Sequence, residues 1–313
     1  MKKTTVIIPN YNGKHFLEDC MKALARQTSG DFAVCVVDNG SEDGSVEFLR
    51  SEYPRVKLIC FEKNTGFCHA VNAGVKAAET EYVLLLNNDT VPEPDFVAEL
   101  EKGLDKHPDV FSCASCMLTL QDETILDGAG DLYSALGWAF ARGRDEKASL
   151  YNRPAYVFSA CAGAAIYRRE EFIRLGMLDE KHFAYLEDMD IGWKARLAGW
   201  KNLYVPAARV VHAGSGTTGS RHNEFKVRMS ARNNIYIIRK NMTGWQKVIN
   251  APLILLGTAV KYLYFKKKGL GSAYLKGFKQ GRALPASSPR GVSFGVQLKI
   301  QLELWANVTK RRK

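Results

Sequence analysis

Residues 82–90 read YVLLLNNDT. Five apolar residues are closed by Asn87, Asn88 and Asp89. A short apolar run with no polar face, ended by turn formers, predicts a strand buried on both sides. The same figure occurs twice upstream. TTVIIP at 4–9 runs into Asn10-Tyr11-Asn12-Gly13, and FAVCVV at 32–37 runs into Asp38-Asn39-Gly40-Ser41. A fourth apolar run lies at 56–61, and stretches of helical period separate the four at 15–27, 45–52 and 67–78. Buried strands alternating with helices predict an α/β fold with a mostly parallel sheet flanked by helices.

That arrangement places the polar clusters. Ligands of open parallel sheets bind beyond the carboxyl ends of the strands. Asn10, Asp38 and 87–89 all fall at such ends. Any one of them is an ordinary turn; three on one sheet edge predict a binding site.

Residues 110–180 are less regular. The stretch 127–152 is rich in loop formers, with charges at 142–147. YVFSACAGAAIY at 156–167 reads as a strand or a buried apolar passage. Its small residues either admit a ligand closely or pack against a helix. Then comes YLEDMDIGWKARLAGW at 185–200. Glu187, Asp188 and Asp190 lead, Lys194 and Arg196 follow, and Gly199 stands where a C-cap belongs, the charge order of a helix obeying its dipole. The helix N-terminus is expected to hold these carboxylates ionised, which suits a base and a cap alike. Three acids in four residues exceed what a cap needs. A strand at 205–211 ends at His212, a metal ligand if Asp89 lies nearby.

Composition excludes several classes. With 313 residues, 46% hydrophobic and 25% charged, the chain is no collagen, disulfide knot or disordered polymer. Its net charge of +11 is unevenly spread. Residues 1–220 carry 24 basic and 31 acidic side chains, whereas 221–313 carry 20 basic and only two acidic, Glu224 and Glu303. The basic part has helical period at 231–240 and 245–265. An apolar stretch at 251–260 is flanked by Lys247, Lys261, Lys266, Lys267 and Lys268, and by Trp245, Tyr262, Tyr264 and Phe265. The run falls short of the ~20 residues of a spanning helix, and its flanks suit a helix lying in an anionic membrane surface. A buried helix with a solvated charge run is the plainer alternative. The aromatics fall among aliphatics and not among the charges, so nucleic acid is not expected as a partner.

Between Lys2-Lys3 and Pro9 the apolar run is only Val6-Ile7-Ile8, too short for an export signal. Seven cysteines, an odd number within mostly apolar runs, suit reduced core thiols, and Cys113 and Cys116 are expected as core residues, not as a zinc pair. The expectation is a cytoplasmic protein, peripheral on the cytoplasmic face of the membrane.

Five motifs in order carry a resemblance: Ile7-Ile8-Pro9-Asn10-Tyr11-Asn12, Val36-Val37-Asp38-Asn39-Gly40-Ser41, Asn64-Thr65-Gly66-Phe67, Leu85-Leu86-Asn87-Asn88-Asp89-Thr90 and Glu187-Asp188-Met189-Asp190. Together with Ala162-Gly163-Ala164-Ala165 and Leu178-Asp179-Glu180, they resemble the family 2 inverting glycosyltransferases, of GT-A (Rossmann-like) fold, over about residues 4–220. Within that family the chain looks most like the rhamnosyltransferase-like and galactofuranosyltransferase-like members that build bacterial surface polysaccharides.

The resemblance implies a nucleotide-sugar donor, dTDP-rhamnose-like or a UDP-sugar, and a polyprenyl-diphosphate-linked or polysaccharide acceptor. It implies that Asp38 accepts the ring N–H of the base, framed by Pro9, Asn10 and Tyr11, and that Asn64, Gly66, Asn72 and Asn88 support the nucleotide. Asp89 and His212, the latter 24 residues after Asp188, would hold Mg²⁺ or Mn²⁺. Asp188 would be the general base, supported by Glu187, Asn87 and Asp190. Many members carry two or three aspartates where this chain has Asn87-Asn88-Asp89. That departure motivates an alternative, a catalytically silent nucleotide-sugar-binding scaffold at the membrane. The expected organisation is a catalytic domain at 1–225, with a nucleotide-binding half at 1–110 and an acceptor half at 111–225. A basic, helical, membrane-associating region follows at 226–313.

Overall fold

The computed structural model describes residues 2–214 and 222–310. The first part alternates as expected: β1 (Thr4–Asn10), α1 (Lys14–Ala25), β2 (Phe32–Asp38), α2 (Ser45–Glu52), β3 (Lys57–Cys60), α3 (Phe67–Ala77) and β4 (Tyr82–Leu86). β1 pairs in parallel with both β2 and β4, and β2 with β3. Successive residues of a strand enter opposite cores. Val6, Ile8 and Leu84 pack with Leu17, Cys20 and Leu24 of α1. Ile7, Val83 and Leu85 pack with Cys68, Val71 and Val75 of α3.

The chain continues through β5 (Thr90–Pro92), α4 (Phe96–Lys106), β6 (Val110–Thr119), β7 (Asp122–Gly128), β8 (Asp131–Ser134) and β9 (Trp138–Ala141). It goes on through β10 (Ala155–Val157), β11 (Ala164–Arg168), α5 (Arg169–Arg174), α6 (Glu187–Leu197) and β12 (Lys201–His212). The strand order is β10-β12-β6-β11-β4-β1-β2-β3, with β7 on β6 and β5 on β12. β11 lies antiparallel between β4 and β6, so the sheet is mixed but mostly parallel, as expected.

Three expectations change. The stretch 156–167 is not one element: β10 and β11 occupy separate places in the sheet, joined by a turn over 158–163. The stretch 127–152 contains the β8–β9 hairpin, whose glycines and short runs mimic loop. β12 is longer than expected because it begins earlier: residues 201–204 already pair with β6 ahead of a register shift between Val205 and Arg209. Pro206 sits in that shift, where its missing N–H removes no ladder bond. Cys113 and Cys116 belong to different cores of the sheet, as their spacing along a strand requires. Cys60 is exposed and Cys161 half-buried, so not every thiol is a core residue.

Four helices end the chain: α7 (Glu224–Asn241), α8 (Gly244–Lys267), α9 (Gly271–Ala283) and α10 (Phe294–Thr309). Two of them complete the body's core. Ile235, Ile237 and Ile238 of α7, with Ile300 and Leu304 of α10, pack around Tyr133, Phe158 and Trp193. Ala135 N–H donates to the Leu304 carbonyl (2.9 Å), and Asn307 Nδ2 to the Tyr133 carbonyl (2.9 Å). The division at 225/226 follows charge, and the hydrophobic core crosses it.

Candidate active site

The strand ends deliver one continuous hydrogen-bonded chain. Asn88 Nδ2 donates to Asn10 Oδ1 (2.7 Å), Asn10 Nδ2 to Asp38 Oδ2 (2.8 Å), and Ser41 N–H to Asp38 Oδ1 (2.9 Å). The parallel register sets Asn10 opposite Asp38. Gly13 makes room for Asn88, since a Cβ there would lie 1.9 Å from its Nδ2. The asparagine at 88 thereby gains a reason. Asn10 spends its amide N–H on Asp38, so the group facing its oxygen must donate, and an ionised aspartate has nothing to donate.

Tyr11 is exposed at the mouth of this edge and Pro9 is half-buried beside it. Asn64 Oδ1 accepts from Gly66 N–H (2.9 Å) and from Asn39 Nδ2 (3.2 Å), while Asn39 Oδ1 accepts from Thr65 N–H (2.9 Å). Asn39, not singled out in the sequence, is thus the centre of the 64–66 loop. Gly66 has φ +94°, and a Cβ there would meet the Phe183 ring at 2.6 Å. Asn72 is not gathered with these residues. Its amide bonds both ways with the Leu178 backbone (2.8 and 3.1 Å) and donates to Glu180 (3.1 Å), stapling α3 to the segment before α6.

Asp89 and His212 meet. β5 pairs with β12, placing Thr90 opposite His212, and Ala213 N–H donates to the Asp89 carbonyl (3.0 Å). His212 Nε2 lies 3.3 Å from Asp89 Oδ1, and its Nδ1 lies 2.8 Å from Asp127 Oδ2. Arg144 closes the row, 2.9 Å from Asp127 Oδ1. Burial alone would lower the His212 pKa, but Asp127 and Asp89 outweigh it and raise it to about 9. Asp127 was legible only as a loop residue, because its partner lies 85 positions away. The set suits a divalent cation once His212 Nε2 gives up its proton: a carboxylate and an imidazole stand side by side, with a second carboxylate orienting the ring from behind.

Asp188 opens α6 and faces the turn between β10 and β11. Met189 N–H donates to its Oδ1 (2.7 Å), Ala162 N–H to its Oδ2 (3.3 Å), and Ser159 Oγ to its carbonyl (2.6 Å). The same turn touches β4's end. Asn87 N–H donates to the Gly163 carbonyl (2.8 Å), and a Cβ on Gly163 would lie 3.0 Å from Asn87 Nδ2. The small residues at 162–163 therefore let two functional loops reach one strip of backbone.

Asp131 and Cys161 complete the cluster, their ligand atoms and that of Asp188 all within 4.8 Å of one another. Burial raises the Asp188 pKa above its ordinary value. Burial, and then the Asp188 charge, push Asp131 and Glu187 well above theirs. Desolvation outweighs the helix N-terminus at both Glu187 and Asp188, so their pKa values are raised where the helix start alone would lower them. Asp190 behaves otherwise. Buried though it is, Lys194, His182 and Lys240 hold its pKa down to about 2. It accepts from Asn241 Nδ2 (2.8 Å) and Lys240 Nζ (2.8 Å), so it ties α6 to α7 and stands apart from Asp188.

The segment entering α6 is strained. Phe183, Tyr185 and Leu186 have φ of +62°, +72° and +65°, each costing roughly 1–3 kcal/mol. One side chain of α7 holds it: Asn233 Nδ2 lies within donating distance of the carbonyls of His182 (3.0 Å), Ala184 (2.8 Å) and Tyr185 (2.8 Å). We expect Asn233→Ala to lower kcat about 10–100-fold by letting Asp188 drift, with donor KM nearly unchanged. Steady-state kinetics on the variant check this split; a KM effect alone would contradict it.

The sequence profile of Glycosyl transferase family 2 matches residues 5–176. A curated relative, N-acetylglucosaminyl-diphospho-decaprenol L-rhamnosyltransferase of Mycobacterium tuberculosis, is 27% identical over 241 residues, 68% of this chain and 77% of the relative. Among solved structures, GalNAc-T7 with UDP, GalNAc and Mn²⁺ superposes with a TM-score of 0.63 at 16% identity, over 91% of this chain and 55% of that one. The mannosyltransferase PcManGT from Pyrobaculum calidifontis, in complex with GDP-Man and Mn²⁺, superposes with a TM-score of 0.56 at 19% identity, over 99% and 81%.

Proposed function

The chain belongs to glycosyltransferase family 2, and from that premise we propose an inverting, metal-dependent transferase for cell-surface glycan synthesis. Its donor is a nucleoside-diphosphate sugar and its acceptor a lipid-linked or polysaccharide hydroxyl. The observation that carries the reading is the shared turn at 162–163. It joins the strand end bearing Asp89 to the helix start bearing Asp188, so a diphosphate group and an acceptor hydroxyl can be served at one place.

Asp38 accepts the imide N–H of a uracil or thymine, with Pro9, Asn10 and Tyr11 framing the ring. Asn64 and Gly66 shape the loop beneath the nucleotide, and the Asn88–Asn10 chain keeps Asp38 aimed. Asp89 and His212 would hold Mg²⁺ or Mn²⁺, which when bound offsets the charge of the departing diphosphate. Asp188 takes the proton from the acceptor hydroxyl. That oxygen attacks the anomeric carbon opposite the diphosphate, the bond from carbon to phosphate oxygen breaks, and the configuration inverts. Glu187, buried with Oε2 unpartnered, and Asp131 surround the base with groups pushed toward the neutral form. Asn72 acts at a distance by fixing the segment before α6.

A dTDP-rhamnose-like donor and a polyprenyl-diphosphate-linked acceptor are the first choices, supported by the mycobacterial relative's name. Such an acceptor places the chain at the cytoplasmic face of an anionic membrane, through the basic region at 226–313. The silent-scaffold alternative rests on the asparagines at 87 and 88, and of these Asn88 has a structural reason of its own. The test is release of nucleoside diphosphate from a panel of nucleotide sugars, with Mg²⁺ or Mn²⁺ and a lipid-linked acceptor extract. We expect turnover of one donor. Nucleotide binding without turnover across the whole panel would favour the scaffold.

A further inference from the structure

We propose that α8 and α10 form a single plate lying in the plane of an anionic bilayer, with its apolar side in the lipid. The proposal rests on the membrane-surface reading above and is independent of the transferase chemistry. It begins from an inversion of the usual helix pattern. On α8, Val248, Leu255, Leu256 and Leu263 are exposed. On α10, Phe294, Leu298, Leu302 and Trp305 are exposed, spaced as one helical stripe. The polar residues are inside. Gln246, Asn250, Gln301 and Asn307 are all buried. Asn250 and Gln301 exchange amide hydrogen bonds, both 2.9 Å, and Gln246 Nε2 donates to the Gln297 carbonyl (3.1 Å). Trp305 Nε1 donates to Asn250 Oδ1 (3.1 Å), so even the outer stripe is pinned to this amide seam.

Amide pairs fix the two helices side by side, while the large apolar side chains left in water forgo the gain of burial. A surface of this kind is matched to an apolar medium. Charge selects which one. Residues 244–310 carry eleven Lys and Arg and one acid, Glu303, which is paired with Arg196. Lys266, Lys267, Lys268, Lys299 and Lys310, all on or just past these two helices, are exposed. A second copy of this chain would bring like charge to like, whereas anionic head groups complement it.

The same contacts decide orientation. α8 is long and apolar enough to cross a membrane by length and composition. Its inner face, however, is committed to the body. Trp138 Nε1 donates to the Gly257 carbonyl (3.0 Å), and a Cβ on Gly257 would lie 2.1 Å from the Leu136 carbonyl. Crossing the bilayer would strip that face from the β8–β9 hairpin. At the far end of α8, Tyr264 OH lies 3.3 Å from His222, two residues before α7 begins. Lys226, in the first turn of α7, feels the charges of both Asp89 and Arg144. The basic end of the plate thus adjoins the element that borders the site, where a lipid-linked acceptor would arrive.

The test is flotation of the full chain with phosphatidylglycerol/phosphatidylcholine vesicles, phosphatidylcholine vesicles, or none. We expect flotation with the anionic vesicles and release by carbonate at high pH. Leu255→Gln combined with Leu302→Gln should lower the floated fraction at least tenfold, with melting temperature and nucleotide binding unchanged. Both side chains are exposed, so the fold does not depend on them. Undiminished flotation of this variant would overturn the plate, and carbonate-resistant wild-type protein would overturn the in-plane orientation. A wild-type chain that fails to float but forms a dimer, lost in the variant, would assign the surface to a second copy. Flotation of the wild-type chain, lost in the variant, alongside absent transfer would count against the proposed enzyme alone.

Discussion

Asp188→Asn lowers kcat about 10²–10⁴-fold and leaves nucleotide binding within about twofold of wild type. The amide keeps an oxygen for Met189 N–H, 2.7 Å away in the wild type, but cannot take a proton from the acceptor. The variant should melt no lower than the wild type. A carboxyl whose folded pKa is raised is less stabilising once pH rises above its unfolded value, because the unfolded chain ionises it more easily. An uncharged amide escapes that penalty. The same raised pKa sets the pH dependence of the wild type. The base works ionised, so kcat/KM falls as pH falls through the folded pKa, and burial should move that acid limb upward from where an exposed aspartate would set it. Single-turnover assays across pH, with calorimetric binding of the nucleoside diphosphate, read all of this. Transfer by Asp188→Asn at the wild-type rate would remove Asp188 as the base.

Ending the chain after residue 225 abolishes the fold, although the charge pattern invites the cut there. Ile235, Ile237, Ile238, Met242, Ile300 and Leu304 lie beyond it and pack on Tyr133, Phe158, Met189 and Trp193. Each is worth roughly 1.5–3 kcal/mol of burial, so six of them rival the whole ~5–15 kcal/mol by which a domain is stable. The cut also removes Lys240 and Asn241 from Asp190, leaving a buried carboxylate with less charge to balance it, and removes Asn233 from the strained entry to α6. We expect the 1–225 piece to be insoluble, or soluble without a cooperative thermal transition. A sharp transition close to that of the full chain, followed by circular dichroism, would show that α7 and α10 are dispensable.

How far the sequence could be read depended on distance along the chain. β4 was legible to the residue, because Tyr82–Leu86 is a short apolar run closed by turn formers and its burial follows from neighbours in sequence. The 156–167 stretch was not, since two short strands and their turn share one unbroken apolar composition. The stop of α6 at Gly199, one residue past the C-cap Ala198, was legible because a left-handed residue after a helix favours glycine, and its φ is +92°. The ionisation of Glu187 and Asp188 was not, because position in a helix is local and desolvation is not.

By itself the sequence determined an α/β sheet with polar groups at its strand ends, and a basic helical C-terminal part. Those are consequences of periodicity, turn chemistry and charge, all carried by residues close in the chain. Tertiary structure alone decided which groups meet. It set Asp127 behind His212, Asp131 beside Asp188, Asn88 as donor to Asn10, and Asn233 under the carbonyls of 182–185. It also turned the amides of α8 and α10 inward and their aliphatic side chains outward. The reason is physical. A hydrogen bond or a desolvated charge depends on atoms a few ångströms apart in space, and packing brings those together from anywhere along the chain.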